Sequence, residues 1–255
     1  MKQRVITALL ILAVMVPPLL MGGIPLRILV FGLAPLVAYE IVSLREGPTD
    51  WLMIAVLCGS ILYMYMMPEK LYSIGITGLL MFLFCFVICD ERFELKDACF
   101  IFVITIICTL AIKGIIRIYD TNKLYMIYVG IACYLCDTGA FFFGTFFGKH
   151  KLIPRISPKK TWEGAIGGYF CGLVSSLLFA LFFLPEAPLD MIIFSSLTLP
   201  LVAMVGDLSF SAIKRHYGVK DFGSIFPGHG GVLDRIDSLL FCLMFFNAVM
   251  LVWGL

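Results

Sequence analysis

The chain is a succession of apolar runs, each about as long as a helix must be to cross a bilayer. Spanning roughly 30 Å of hydrocarbon takes about 20 apolar residues at 1.5 Å rise each. Such runs lie near 4–21, 26–44, 51–67, 73–89, 98–116, 124–146, 164–184, 189–206 and 238–254. The breaks between them are short and rich in helix-ending Pro and Gly: Gly22-Gly23-Ile24-Pro25, Glu46-Gly47-Pro48-Thr49-Asp50, Pro68-Glu69-Lys70 and Pro185-Glu186-Ala187-Pro188. A soluble domain carries roughly a quarter charged residues. Here 14% are charged and 61% hydrophobic, more apolar surface than one soluble core could hide. The expected fold is all-α: a polytopic integral membrane protein with about nine transmembrane helices, forming one membrane domain over 1–255. Residues 1–123 read mainly as hydrophobic scaffold helices and 124–255 as the region that carries chemistry. Met1-Lys2-Gln3-Arg4 ahead of an apolar run is similar to a signal peptide. Apolar sequence resumes directly after Gly23 with no convincing cleavage site, so the plainer reading is a first membrane helix.

Charge sets the expected orientation. Nine spans put the N-terminus and the segments 44–50, 90–97, 147–163 and 207–237 on one side. Of the 19 Lys and Arg residues, only Arg27, Lys70, Lys113, Arg117 and Lys123 fall on the other. Short loops rich in Lys and Arg stay cytoplasmic. The N-terminus and both long polar segments are therefore expected in the cytoplasm, and the C-terminus outside the cytoplasmic membrane. The nine cysteines all sit in apolar stretches, where Cys acts as a small hydrophobe. Cys133-x-x-Cys136 has metal-motif spacing but no second Cys or His pair in a nearby polar loop.

Two segments carry chemistry. The first runs from Asp137 to Gly164. Asp137 lies about three turns inside an otherwise apolar helix, where a carboxylate costs several kcal/mol unless paired, ligated or wet. It is a functional residue or a helix-to-helix hydrogen-bonding one. Lys159 and Lys160 precede a helix start at Thr161-Trp162-Glu163 and can hold phosphates, or can simply belong to a positive cytoplasmic loop. Gly144-x-x-x-Gly148 and Gly164-x-x-x-Gly168-x-x-x-Gly172 have the spacing that lets membrane helices pack closely. Gly144 to Lys149 is not a P-loop, because the gap is one residue short and His150 replaces the Ser or Thr that would meet Mg²⁺.

The second segment, 206–238, is denser. Asp207 ends one membrane run; Asp234 and Asp237 begin the next and share a helix face. Carboxylates at helix ends suit Mg²⁺, which takes few protein oxygens and completes its shell with water and phosphate. Lys214, Arg215, Lys220 and Arg235 bring cations to the same stretch, beside Asp221. In Gly228-His229-Gly230-Gly231 the glycines allow close backbone approach, and free amides before a helix favour an anion. His229 is either a general base or a residue that fixes this turn; His150 and His216 read as solvated loop residues. Acids for a metal beside bases for phosphates point to phosphoryl or nucleotidyl transfer. An ion-coupled transporter would string its acids across the bilayer instead of gathering them at one face.

Ser211, Lys214-Arg215, Lys220-Asp221, Gly223, Phe226-Pro227, His229-Gly230-Gly231, Asp234-Arg235 and Asp237 together resemble the signature of the phosphatidate cytidylyltransferase (CDP-diacylglycerol synthase) family. The run Ile156-Ser157-Pro158-Lys159-Lys160-Thr161-Trp162-Glu163-Gly164 is similar to that family's other characteristic region, with Thr145 standing where a basic residue is expected. The specific resemblance covers roughly residues 130–240, with the signature at 211–237. It implies an all-helical membrane fold, commonly a homodimer, with a polar active-site cavity facing the cytoplasm. It implies the transfer of a cytidylyl group from CTP to phosphatidate, dependent on Mg²⁺ with room for a second cation, and no nucleic-acid partner. By that analogy Asp207 and Asp234 are metal ligands and Asp237 ligates or orients Asp234. Lys159, Lys160, Lys214, Arg215 and Arg235 would bind phosphates, with Asp137, Lys220, Asp221, His229, Gly230 and Gly231 lining the substrates. The nearest relatives in chemistry, a CDP-archaeol synthase or a CTP-dependent polyprenol kinase, remain the alternatives.

Overall fold

The computed structural model describes residues 2–45, 50–226 and 230–255. It contains the helices α1 (Lys2–Met21), α2 (Gly23–Val42), α3 (Trp51–Met66), α4 (Tyr72–Cys89), α5 (Leu95–Thr121), α6 (Lys123–Phe147), α7 (Trp162–Phe183), α8 (Leu189–His216) and α9 (Leu233–Val252). Among the described residues seven helices, all but α1 and α3, are long and apolar enough to cross a membrane. The chain is a multi-pass membrane protein. α3 is apolar throughout but only 16 residues long. The break expected at Glu46–Thr49 lies outside the described residues.

The fold is helical, as expected, with one small addition: the segment between α6 and α7 is a β-hairpin, β1 (Lys151–Ile153) paired antiparallel with β2 (Ser157–Thr161). Its sequence explains this. Pro158 forces Ser157 towards extended backbone, and a proline is tolerated because both strands are edges. One expectation is corrected: the segment 207–237, read as one polar loop. Helix α8 continues to His216 and α9 begins at Leu233, so only 217–232 is a loop. At 28 residues α8 is about 42 Å long, more than the hydrocarbon requires. Hydropathy marks where lipid ends, whereas helical hydrogen bonding runs on into water. Gly218, at φ +67°, ends α8 with Val219 N–H bonded to the Lys214 carbonyl at 2.9 Å, a left-handed cap that favours glycine.

The chain divides into two compact units, the first comprising Met1–Lys113 and the second Gly114–Ile225 with His229–Leu255. In the first, α1 packs on α2, α2 on α3 and α3 on α4. Its polar bonds include an Arg45 guanidinium on Asp97 at 3.1 Å and an Arg92 guanidinium on Asp90 at 2.8 Å. In the second, α6 touches α7, α8 and α9. Its core gathers Tyr128, Val129, Ala132, Met191, Leu199, Leu243 and Phe246. The Tyr128 hydroxyl is satisfied there by Ser196 Oγ at 2.8 Å and the Ile192 carbonyl at 3.2 Å.

Candidate active site

Helix α7 lies unusually close to α6 because glycines line the contact. A Cβ on Gly168 would come within 2.5 Å of the Cys136 carbonyl oxygen, one on Gly164 within 2.7 Å of that of Ala140, and one on Gly172 within 2.7 Å of that of Ala132. The glycine spacing read from the sequence therefore does what small residues do between membrane helices: it lets the backbones touch. This contact fixes α6, and with it Asp137, against the start of α7. Thr161 caps α7 by accepting from Gly164 N–H at 3.1 Å.

Three carboxylates from three helices face one another: Asp137 on α6, Asp207 on α8 and Asp237 on α9. They are near enough to repel one another electrostatically. Ser238 Oγ bridges two of them, lying 3.4 Å from Asp137 Oδ2 and 3.3 Å from Asp237 Oδ1. Cations offset the repulsion. The Lys160 ammonium, carried on β2, is bonded to Asp207 Oδ2, and Ser211 Oγ donates to Asp207 Oδ1 at 3.3 Å. Lys214 lies 3.9 Å from Asp237 Oδ2.

Asp234 occupies a different environment. Its Oδ1 accepts from Lys214 at 2.7 Å, and its Oδ2 accepts from the amides of Phe222 at 2.8 Å and Gly231 at 3.0 Å. The Lys214 ammonium also lies 5.1 Å over the Phe222 ring. With side-chain exposures of 11% and 4%, Lys214 and Asp234 form a buried pair. Losing one partner of such a pair costs several kcal/mol, because the other charge is stranded. Asp234 thus ties the 217–232 loop to the start of α9. Gly230 sits at φ +88°, where a Cβ would also approach Asp234 Oδ2 to 3.1 Å, so this turn favours glycine.

The remaining expected site residues scatter. Lys159, Lys220, Asp221 and Arg235 are exposed, and Arg215 spends its donors on the carbonyls of Ile156 at 3.1 Å and Val219 at 3.0 Å. His229, with Pro227 and Gly228, lies outside the described residues. His150 is exposed in a loop, as expected, and its ring is bonded through Nδ1 to Glu163 Oε1 at 2.6 Å. Sequence reasoning passed over Ser238 and Glu163. Ser238 directly follows Asp237 at a helix start, and Glu163 is an acid in a helix's first turn; both are local signals without a visible partner.

The donor set suits a hard divalent cation. No three His, Cys, Asp or Glu side chains among the described residues form a ready ligand group. Mg²⁺, however, needs only one or two carboxylates beside water and phosphate oxygens. Asp207 and Asp237 meet that requirement, and their oxygens already attract the ammonium groups of Lys160 and Lys214.

The profile of the cytidylyltransferase family matches residues 2–253. A phosphatidate cytidylyltransferase of Staphylococcus epidermidis is 34% identical over 267 aligned positions, covering 98% of this chain and 99% of the relative. Relatives of the same name from Staphylococcus aureus and Staphylococcus saprophyticus are 35% and 33% identical with the same coverage.

Proposed function

The chain belongs to the cytidylyltransferase family, and from that premise we propose that it transfers the cytidylyl group of CTP to phosphatidate, giving CDP-diacylglycerol and pyrophosphate for phospholipid synthesis. The observation that carries this reading is similarity over almost the entire length of enzymes named for phosphatidate. The gathering of Asp137, Asp207, Asp237, Lys160 and Lys214 supports it, because it unites metal-binding oxygens with phosphate-binding cations.

The reaction is a single in-line displacement. An oxygen of the phosphatidate phosphate bonds to the α-phosphorus of CTP. The bond from that phosphorus to the bridging oxygen of the β-phosphate breaks, and pyrophosphate leaves with the electron pair. A phosphate monoester has a second pKa near about 6 and is largely dianionic at neutral pH, so it attacks without a general base. The protein's task is then positioning and charge neutralisation. Lys160 and Lys214, now engaged with carboxylates, turn to the phosphates of the two substrates, and Lys159 and Arg235 extend the cationic surface. Asp207 and Asp237 would hold Mg²⁺, joined by Asp234 through the oxygen that Lys214 occupies here. Mg²⁺, when bound, supplies charge neutralisation for the triphosphate.

The protein acts as a homodimer with nine crossings and a polar cavity open to the cytoplasm, where the N-terminus also lies; the C-terminus lies outside. Purified protein in lipid micelles should convert CTP and phosphatidate to CDP-diacylglycerol and pyrophosphate, with ATP a poor substitute. Activity only with an archaeol phosphate or a polyprenol acceptor, or ion flux in liposomes without cytidylyl transfer, would overturn the reading.

A further inference from the structure

The β-hairpin that carries Lys160 is too small to hold its own shape. Two strands of three and five residues make an isolated hairpin that is marginal in water. Its ladder is also irregular. Lys151 pairs with Thr161 and Ile153 with Ser157, so Pro158, Lys159 and Lys160 all stand opposite Leu152. Such a bulge bends its strand and leaves residues unpaired. The ladder alone therefore does not decide which lysine turns inward. Yet the outcome is definite: Lys159 is exposed, while Lys160 is half-buried on Asp207.

Two side chains outside the strands fasten this hairpin. At its base Glu163 accepts from the amides of Lys149 at 3.1 Å and His150 at 3.2 Å, and from the His150 ring at 2.6 Å. Trp162 N–H adds a bond to the His150 carbonyl at 2.9 Å. At its turn Arg215, 59 residues away in sequence, donates to the Ile156 carbonyl while also bracing Val219. Base and turn are thus tied to the start of α7 and the end of α8 respectively. An arginine can grip two carbonyls because its donors form a rigid fork.

We propose that Glu163 and Arg215 are positioning residues that hold the hairpin in the arrangement aiming Lys160, and not Lys159, at Asp207. This rests on the reading of Lys160 as part of the active site. It gives Arg215 a task that its place in the signature did not suggest: it serves the phosphates only through Lys160. Displacement of a catalytic cation by about 1 Å costs up to roughly a hundredfold in rate.

Combining substitutions tests the chain of action. Glu163→Ala and Arg215→Met should each lower kcat by roughly ten- to a hundredfold with little change in KM for CTP. Lys160→Met should lower kcat at least as much. Adding Glu163→Ala or Arg215→Met to Lys160→Met should cost nothing more, because residues acting through one group are not additive. Amide hydrogen exchange across 149–161 should quicken in the Glu163 and Arg215 variants and stay slow in Lys160→Met. Glu163→Gln and Arg215→Lys, which keep one acceptor or a donor, should regain part of the lost rate; they keep the test decisive if the larger truncations fold poorly. Multiplicative losses in the double variants, or unchanged exchange in the hairpin, would overturn the clamp while leaving the active site intact. Full turnover in Lys160→Met would overturn the site reading itself.

Discussion

The two units of this chain use the same apolar helices for different ends. In the first, Gly23, Gly32 and Gly59 face open space, Gly75 and Gly78 approach only side chains, and the ion pairs Arg45–Asp97, Arg92–Asp90 and Lys96–Glu94 lie at helix ends. In the second, Gly139, Gly164, Gly168 and Gly172 bring backbones into contact, and acids reach between the helices from Asp137, Asp207 and Asp237. A bilayer selects for apolarity, which many sequences satisfy. Chemistry selects for separations held to within roughly 0.5 Å, which few sequences satisfy. Spacing tolerance, more than hydropathy, distinguishes the two halves.

The largest expected difference is in turnover. Asp207→Asn should lower it about a thousandfold or more, since metal-assisted charge stabilisation is worth several kcal/mol. Asp97→Asn also removes a carboxylate bonded to an arginine, but in the first unit. It should cost about 1–3 kcal/mol of stability and leave the turnover of folded protein unchanged. Equal kinetic losses in the two purified variants would erase the distinction.

Stability should separate the units next. Lys214→Met strands the buried Asp234 charge and should destabilise by about 3 kcal/mol or more, read by denaturant titration in micelles. Adding Asp234→Asn should recover part of that loss. A full loss in the double variant would mean that the pair acts through packing and not through charge.

Packing tolerance gives a finer test. Gly168→Ala drives a methyl into the Cys136 carbonyl and should cost about 1–3 kcal/mol. Gly59→Ala meets nothing and should stabilise α3 by up to about 1 kcal/mol through helix propensity. Similar unfolding midpoints for the two would contradict the contrast in spacing.

The smallest effect lies at the rim of the first unit. Arg92 holds the exposed Asp90 carboxyl down at about 2, from an ordinary 3.8. A depressed folded value adds stability that is present above the unfolded pKa and lost as pH falls from about 4 towards about 2. In water the pair is screened. Asp90→Asn should therefore lower the unfolding midpoint only slightly at neutral pH and match the parent below about pH 2. A large shift at neutral pH would show that this rim matters more than its exposure allows.

Much of this was legible in the residues. Hydropathy located each of the described helices to within a few residues, except where α5, α8 and α9 run on past the expected ends. The glycine spacing pointed to close helix packing, which the structure has between α6 and α7. The hairpin was hidden because three- and five-residue strands carry too little periodicity to read. The partner of the exposed His150 was hidden because Glu163 lies 13 residues on, in a different element.

The sequence by itself determined a membrane protein built of helices, and it determined which residue types gather near one face. Both are local properties: an apolar run needs only its own length to cross lipid, and a signature needs only its own order. Only the tertiary structure decided which side chains meet. It set Ser238 beside Asp137, 101 residues away, turned Lys214 to Asp234, and sent Arg215 to a backbone carbonyl instead of a phosphate. Those pairings depend on helix rotation and close approach, and a turn of one helix by a single residue, about 100° at 3.6 residues per turn, would have paired a different set.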